Sequence, residues 1–222
     1  WDLPSTGLPA MDGNGIIYSD EYRSLISVGG SDSMGNISSR CYRLSFDSDA
    51  YWQQDASWKW EEIASMNIGR AYASSLMIKN ISENPKKQFL CVLGGYNNGA
   101  DDENEAHKDV LLNSVEIFDF DENGSWQTRT IRNFYIPRCW AGCCFQDSMS
   151  RIFIGGGKTA NLGSDKVEWC DLAKNQWYYL TNTKLQHRKY PVMWIENNCL
   201  LNIASVTGNG MECLDLRDSR NQ

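Results

Sequence analysis

Two histidines, His107 and His187, are the only imidazoles in this 222-residue chain. His107 falls in a long acidic stretch and His187 directly precedes Arg188. Neither assembles with a serine and an aspartate into a nucleophilic triad, nor with other ligands at zinc-binding spacing. Of the eight cysteines, Cys41, Cys91, Cys170, Cys199 and Cys213 lie in apolar, strand-like runs, while Cys139, Cys143 and Cys144 cluster nearby. None shows the Cys-x-x-Cys arithmetic of a metal site, so they read as reduced core thiols of an intracellular protein. The run Gly155-Gly156-Gly157-Lys158-Thr159 imitates a phosphate loop, but the earlier glycine and the following helix which that chemistry needs are missing. Asp101, Asp102, Glu103, Glu105 and Asp109 crowd the segment between Tyr96 and Leu111. They lack the glycine and terminal glutamate of a calcium loop and read as a solvated face. The sequons at Asn36, Asn80 and Asn123 are triplets that arise often by chance in a Ser- and Asn-rich chain. No catalytic residue, metal site or cofactor is therefore expected, and an enzyme is not the favoured reading.

The elements that must position any site are written in a repeat. Leu25-Ile26-Ser27-Val28-Gly29-Gly30, Leu90-Cys91-Val92-Leu93-Gly94-Gly95 and Arg151-Ile152-Phe153-Ile154-Gly155-Gly156 each end an apolar run on a glycine pair, 65 and 61 residues apart. Each is followed by a variable polar stretch and a second apolar segment. Val115-Glu116-Ile117-Phe118-Asp119, Val167-Glu168-Trp169-Cys170-Asp171 and Met211-Glu212-Cys213-Leu214-Asp215 are copies of that segment, and Cys41-Tyr42-Arg43-Leu44 is a degenerate one. Then come Trp60, Trp126 and Trp177, with Arg70, Arg138 and Arg188 following 10, 12 and 11 residues later. Self-similarity on this scale outweighs local propensity, and short β-rich runs bounded by Gly, Asn, Asp and Ser read as strands. Sustained helical periodicity is missing.

This pattern resembles the kelch repeat, with its diglycine strand, Val-Glu-x-Tyr-Asp-like strand, tryptophan strand and Met-x-x-x-Arg, the last seen best in Trp60 to Met66 and Arg70. The resemblance covers nearly the whole chain. It implies an all-β fold, a β-propeller of four-stranded antiparallel blades. Blades are expected at about 14–64, 71–131, 139–180 and 190–216, the last with Ile203-Ala204-Ser205 in place of the diglycine. Trp1-Asp2-Leu3 and Leu8-Pro9 read as an isolated strand, so residues 1–9 would complete that blade if the ring closes. The alternative is a consecutive part of a larger propeller, which a start at Trp1 rather than methionine favours. The glycines permit φ > 0 and close backbone approach, the indoles fill the wedge between blades, and the arginines satisfy carbonyls in connecting turns.

In kelch propellers that recruit proteins, one mouth of the channel carries the ligand. By alignment, the residues after the glycine pairs are Ser31 and Asp32, Tyr96 to Asn98, and Gly157 and Lys158; those two positions beyond each arginine are Tyr72, Trp140 and Tyr190. The expected contact set is Tyr72, Trp140, Tyr190, Ser31, Tyr96, Asn97 and Lys158. Three aromatics at one repeat position would make a rigid, amphipathic lining; the competing reading is that they only pack the channel wall. The resemblance implies a protein- or peptide-binding scaffold or substrate-recognition module, of the kind that serves ubiquitin ligases, with an actin-associated scaffold as a sister reading. The alternative from another class is a carbohydrate-active or oxidoreductase propeller. Some relatives of that kind are copper oxidases, and their two histidines and tyrosines do not map onto this chain. Net charge is −7, from 28 acids against 21 bases, which disfavours nucleic acid as a partner. No apolar run approaches a membrane-spanning length, so no membrane partner is expected, and the reduced thiols read above favour a cytoplasmic protein.

Overall fold

The computed structural model describes residues 7–46, 59–79, 87–98, 110–120, 124–128, 130–160, 165–180, 182–184, 190–205 and 210–217. His107, His187, Arg188, the acidic residues 101–109 and the first six residues lie outside them. The described chain is all-β, in four small antiparallel sheets arranged as the blades of a propeller. The first blade runs β1 (Gly15–Ser19), β2 (Ser24–Val28), β3 (Cys41–Ser45) and β4 (Glu61–Ile63). The second contains β5 (Ser74–Lys79), β6 (Gln88–Leu93), β9 (Val115–Asp119) and β10 (Ser125–Thr128), with a two-stranded ribbon, β7 (Tyr96–Asn97) and β8 (Val110–Leu111), inserted after β6. The third runs β11 (Gly142–Gln146), β12 (Arg151–Gly155), β13 (Val167–Asp171) and β14 (Gln176–Tyr179). The fourth has three described strands, β15 (Pro191–Glu196), β16 (Leu200–Ser205) and β17 (Met211–Asp215). One 3-10 turn, Asp147–Met149, is the only helical element described. The strand expected over residues 1–9 lies largely outside the described residues; Leu8 packs beside Tyr42, Leu44 and Trp60 of the first blade.

Strand alternation gives each blade two apolar faces, one for each neighbour. Ile26, Val28 and Cys41 of the first blade meet Leu90, Val92 and Phe118 of the second. The opposite face of the second, including Phe89, Cys91, Leu93 and Ile117, meets Ile152, Ile154 and Cys170 of the third. Phe153, Val167 and Trp169 then meet Met193, Leu201 and Ile203 of the fourth. Burying each such side chain contributes about 1.5–3 kcal/mol, so the molecule is held by face-to-face packing between successive blades.

The repeated arginine ties each blade to the next. Arg70, in the loop leaving the first blade, reaches into the second. Its Nη1 donates to the Gly94 and Ser114 carbonyls at 2.9 and 3.2 Å, and its Nη2 to Glu116 Oε1 at 2.5 Å. Glu116, with no exposed surface, also accepts the Asn67 and Ile68 backbone N–H groups. One blade on, Arg138 donates to the Gly156 and Lys166 carbonyls, each at 3.0 Å, and to Glu168 at 2.6 Å. Glu168 accepts the Tyr135 and Ile136 N–H groups. At the next junction Glu212 accepts the Lys184 N–H at 2.7 Å. Burial pulls both guanidiniums below the ordinary arginine value, and the facing carboxylate opposes that pull. Each pair is desolvated and fully hydrogen-bonded, the condition under which a buried ion pair is tolerated. The glutamate is legible as a repeated letter, but nothing in the sequence marks it as the arginine's partner.

The glycine pair is corrected by one residue in the third blade. Gly29 and Gly30, and Gly94 and Gly95, have φ of 60° and 103°, and 62° and 94°. Their third-blade counterparts are Gly156 and Gly157, at 66° and 80°. Gly155 instead continues β12, paired with Gly142 and Val167. The extra glycine made two alignments equally good on letters alone. The tryptophans behave as wedges: Trp177 is 2 % exposed and donates to the Arg132 carbonyl of the preceding blade at 2.6 Å, as Trp126 donates to Ala64 at 2.7 Å.

A candidate binding mouth ringed by aromatics

Two residues past each arginine the chain turns into the innermost strand of the next blade. Tyr72, Trp140 and Tyr190 occupy that turn with φ of 52°, 57° and 46°. These are left-handed values, costing an L-residue of this size on the order of 1 kcal/mol or more. The positions are linked by backbone: Tyr72 N–H donates to Gly13 O, Trp140 N–H to Tyr72 O, and Tyr190 N–H to Trp140 O, at 2.7, 2.9 and 3.0 Å. The result is a staircase of one residue per blade.

Gly13 is the step of the first blade, at φ 66°. It is the member that sequence comparison misses, because Met11 stands where the other copies carry arginine. A Cβ at Gly13 would lie 2.6 Å from two Tyr72 ring carbons, so the glycine is what admits that ring. The Tyr72 hydroxyl donates to Asp12 Oδ2. That hydrogen bond, ahead of burial and the carboxylate's charge, raises the phenol well above the usual tyrosine range. Burial, then Asp12, raises Tyr190 as well.

The rings touch in sequence. Tyr72 meets Trp140 edge-on at 5.3 Å and 75°, and Trp140 meets Tyr190 at 5.9 Å and 41°. Tyr96 stacks on Tyr72 at 5.6 Å and 16°, and Lys158 Nζ sits 5.5 Å from the Trp140 ring centre. Tyr96 and Lys158 hold equivalent places, as does Ser31. Each follows its glycine pair and bridges to the residue before the staircase step: Ser31 to Asp12, Tyr96 to Ala71, Lys158 to Cys139. The structure thus brings Tyr72, Trp140, Tyr190, Tyr96 and Lys158 together. Ser31 is only 7 % exposed, with its hydroxyl on the Asp12 carbonyl. Asn97 is turned aside, its amide donating to the Gly69 carbonyl at 2.6 Å.

Two cavities share this lining. One of about 680 Å³ is bounded by Tyr72, Tyr96, Leu111, Ile136, Pro137, Cys139, Trp140, Lys158, Thr159 and Ala160. Another of about 260 Å³ is bounded by Asp12, Gly13, Asn14, Tyr72, Ala73, Trp140, Ala141 and Tyr190. Tyr72 and Trp140 form the partition between them. Apolar and aromatic walls carrying a few polar groups are what ligand-binding concavities are made of. Leu111 and Pro137 entered through the β7–β8 ribbon and the Arg138 loop, which no repeat letter announces.

All eight cysteines are free thiols. Burial pushes Cys41 and Cys170 up to about 12 and raises Cys91 and Cys144 well above the usual thiol range. Among the described residues, no group of three His, Cys, Asp or Glu side chains is placed to hold a metal ion. No described helix is long and apolar enough to cross a membrane. No protein-family model matches the chain, and no curated protein matches it.

Proposed function

We propose that this chain is a kelch-type propeller that binds a protein or peptide at the aromatic mouth. One observation carries the reading. Three bulky aromatics occupy left-handed backbone at the equivalent step of successive blades, where glycine, as at position 13, would be the relaxed choice. Strain concentrated in this way is a mark of functional surfaces rather than of scaffolding. Tyrosine and tryptophan are also the residues that anchor interfaces at small entropic cost. The repeat of glycine pair, Val-Glu strand, tryptophan and arginine supports kinship with kelch proteins. That kinship carries the proposal further, to a recognition module presenting substrates to a ubiquitin ligase. Buried, protonated thiols support a reducing, cytoplasmic setting.

The test replaces Tyr72, Trp140 and Tyr190 together by alanine and compares the proteins recovered by the variant and the parent. Met149→Ser, on the exposed 3-10 turn, serves as a control remote from the mouth. Loss of the same partners from the triple variant alone, with its thermal melt retained, is the expected result. Unchanged recovery by a folded triple variant rejects the mouth.

A further inference from the structure

The smaller cavity has a more particular chemistry than a generic peptide groove. Three of its walls are the rings of Tyr72, Trp140 and Tyr190, set at 75° and 41° to their neighbours so that they form a corner rather than a stack. Among the described residues, its one charged lining residue is Asp12. One oxygen of that carboxylate accepts the Tyr72 hydroxyl, which fixes the acid against the aromatic wall. Trp140 already holds a cation over its ring, Lys158 at 5.5 Å, from the neighbouring cavity. The electron-rich faces, the fixed carboxylate and the net charge of −7 all favour a positive guest and disfavour an anion.

The choice among cations follows from hydration. A hard metal ion needs several oxygen ligands, and the described lining offers a single carboxylate. An unmethylated ammonium holds its water strongly and wants three acceptors. A quaternary ammonium donates no hydrogen bond and is readily dehydrated, and aromatic rings substitute for its hydration shell. A volume of about 260 Å³ accommodates a trimethylammonium head with the start of its alkyl stem. Tyr190, 50 % exposed, leaves a side open for that stem. We propose that this cavity is a cage for the methylated ammonium of a peptide side chain, trimethyllysine being the form that fits it best. The inference rests on the mouth being a peptide-binding surface.

The probes are four short peptides identical except at one position: lysine, dimethyllysine, trimethyllysine, and the neutral carbon isostere of trimethyllysine. Binding is followed through tryptophan fluorescence and by NMR of the indole N–H groups. Trimethyllysine is expected to bind about tenfold more tightly than either lysine or the neutral isostere, the separation that a desolvated cation–aromatic contact provides. Asp12→Asn should reduce that preference and its salt dependence, since the amide still accepts the Tyr72 hydroxyl but carries no charge. Tyr190→Ala removes a half-exposed wall and should weaken trimethyllysine alone, while Trp140→Phe should retain part of the binding.

Equal affinity for the neutral isostere, or no binding of any methylated probe, overturns the cage. So does preferential binding to phosphocholine vesicles over the trimethyllysine peptide, which would make the guest a lipid headgroup. If the peptides fail while the triple alanine variant still loses its partners, the cage falls and the mouth reading stands. If both fail, the two fall together.

Discussion

Arg70 and Tyr72 are two residues apart, yet one is 1 % exposed inside a junction and the other lines an open cavity. Arg138 and Trp140 repeat the contrast one blade on. At the junction, both described copies are chemically the same: guanidinium, glycine-pair carbonyl and buried glutamate. At the mouth, the backbone is the same, but the side chain changes from Gly13 to Tyr72, Trp140 and Tyr190. The scaffold therefore repeats identical residues, while the surface repeats the geometry and lets the side chain vary. A loop locked at one residue can display a strained, variable one shortly after it.

The junction should break hardest. Removing one partner, by Glu116→Ala or Arg138→Ala, leaves a buried uncompensated charge and should destabilise the fold by about 3–5 kcal/mol in denaturant titration. Replacing Arg138 and Glu168 together by Met and Leu should cost distinctly less than Arg138→Ala alone, because no orphan charge remains. A double replacement as damaging as the single would show that geometry, not charge compensation, sets the junction.

The glycine pair sharpens the same contrast from the backbone side. A Cβ at Gly94 would lie 2.5 Å from the Arg138 carbonyl, on a left-handed backbone. Gly94→Ala should cost more than about 2 kcal/mol, exceeding the usual glycine-to-alanine gain. Gly155→Ala tests the corrected register: its φ is not positive, and the close approach, 2.9 Å, is to the Val167 Cγ2 methyl of a side chain rather than to backbone. It should cost less than Gly94→Ala, and the reverse order would restore the register suggested by the letters.

Those two positions also show how far the sequence could be read. The blades were legible because strand alternation, glycine pairs, tryptophans and arginines are spaced by the same antiparallel hairpin geometry in each copy. Tyr72, Trp140 and Tyr190 were legible as a set because each sits two residues past an arginine. What stayed hidden depended on three dimensions. The glutamates are remote from their arginines, by 46 residues for Arg70 and Glu116. Gly13 lacks the arginine that would have flagged it, and Asn97 gives no sign in the sequence that its amide would turn to Gly69.

Thiol chemistry separates buried blade faces from exposed ones with a smaller effect. Cys41, Cys91, Cys144 and Cys170 are buried and held as thiols, whereas Cys213 is exposed on β17. At pH 8 an aromatic disulfide reagent should label Cys213 promptly and those four thiols only on unfolding. Prompt labelling of all of them in the native protein would mean that the blade interfaces open readily.

Tyr190→Gly relieves left-handed strain while deleting an aromatic wall, so it separates display from support. Measured together, stability should remain within about 1 kcal/mol of the parent, while recovery of the partners bound by the parent falls away. A variant destabilised by several kcal/mol that still recovers those partners would make Tyr190 part of the scaffold rather than of the surface it displays.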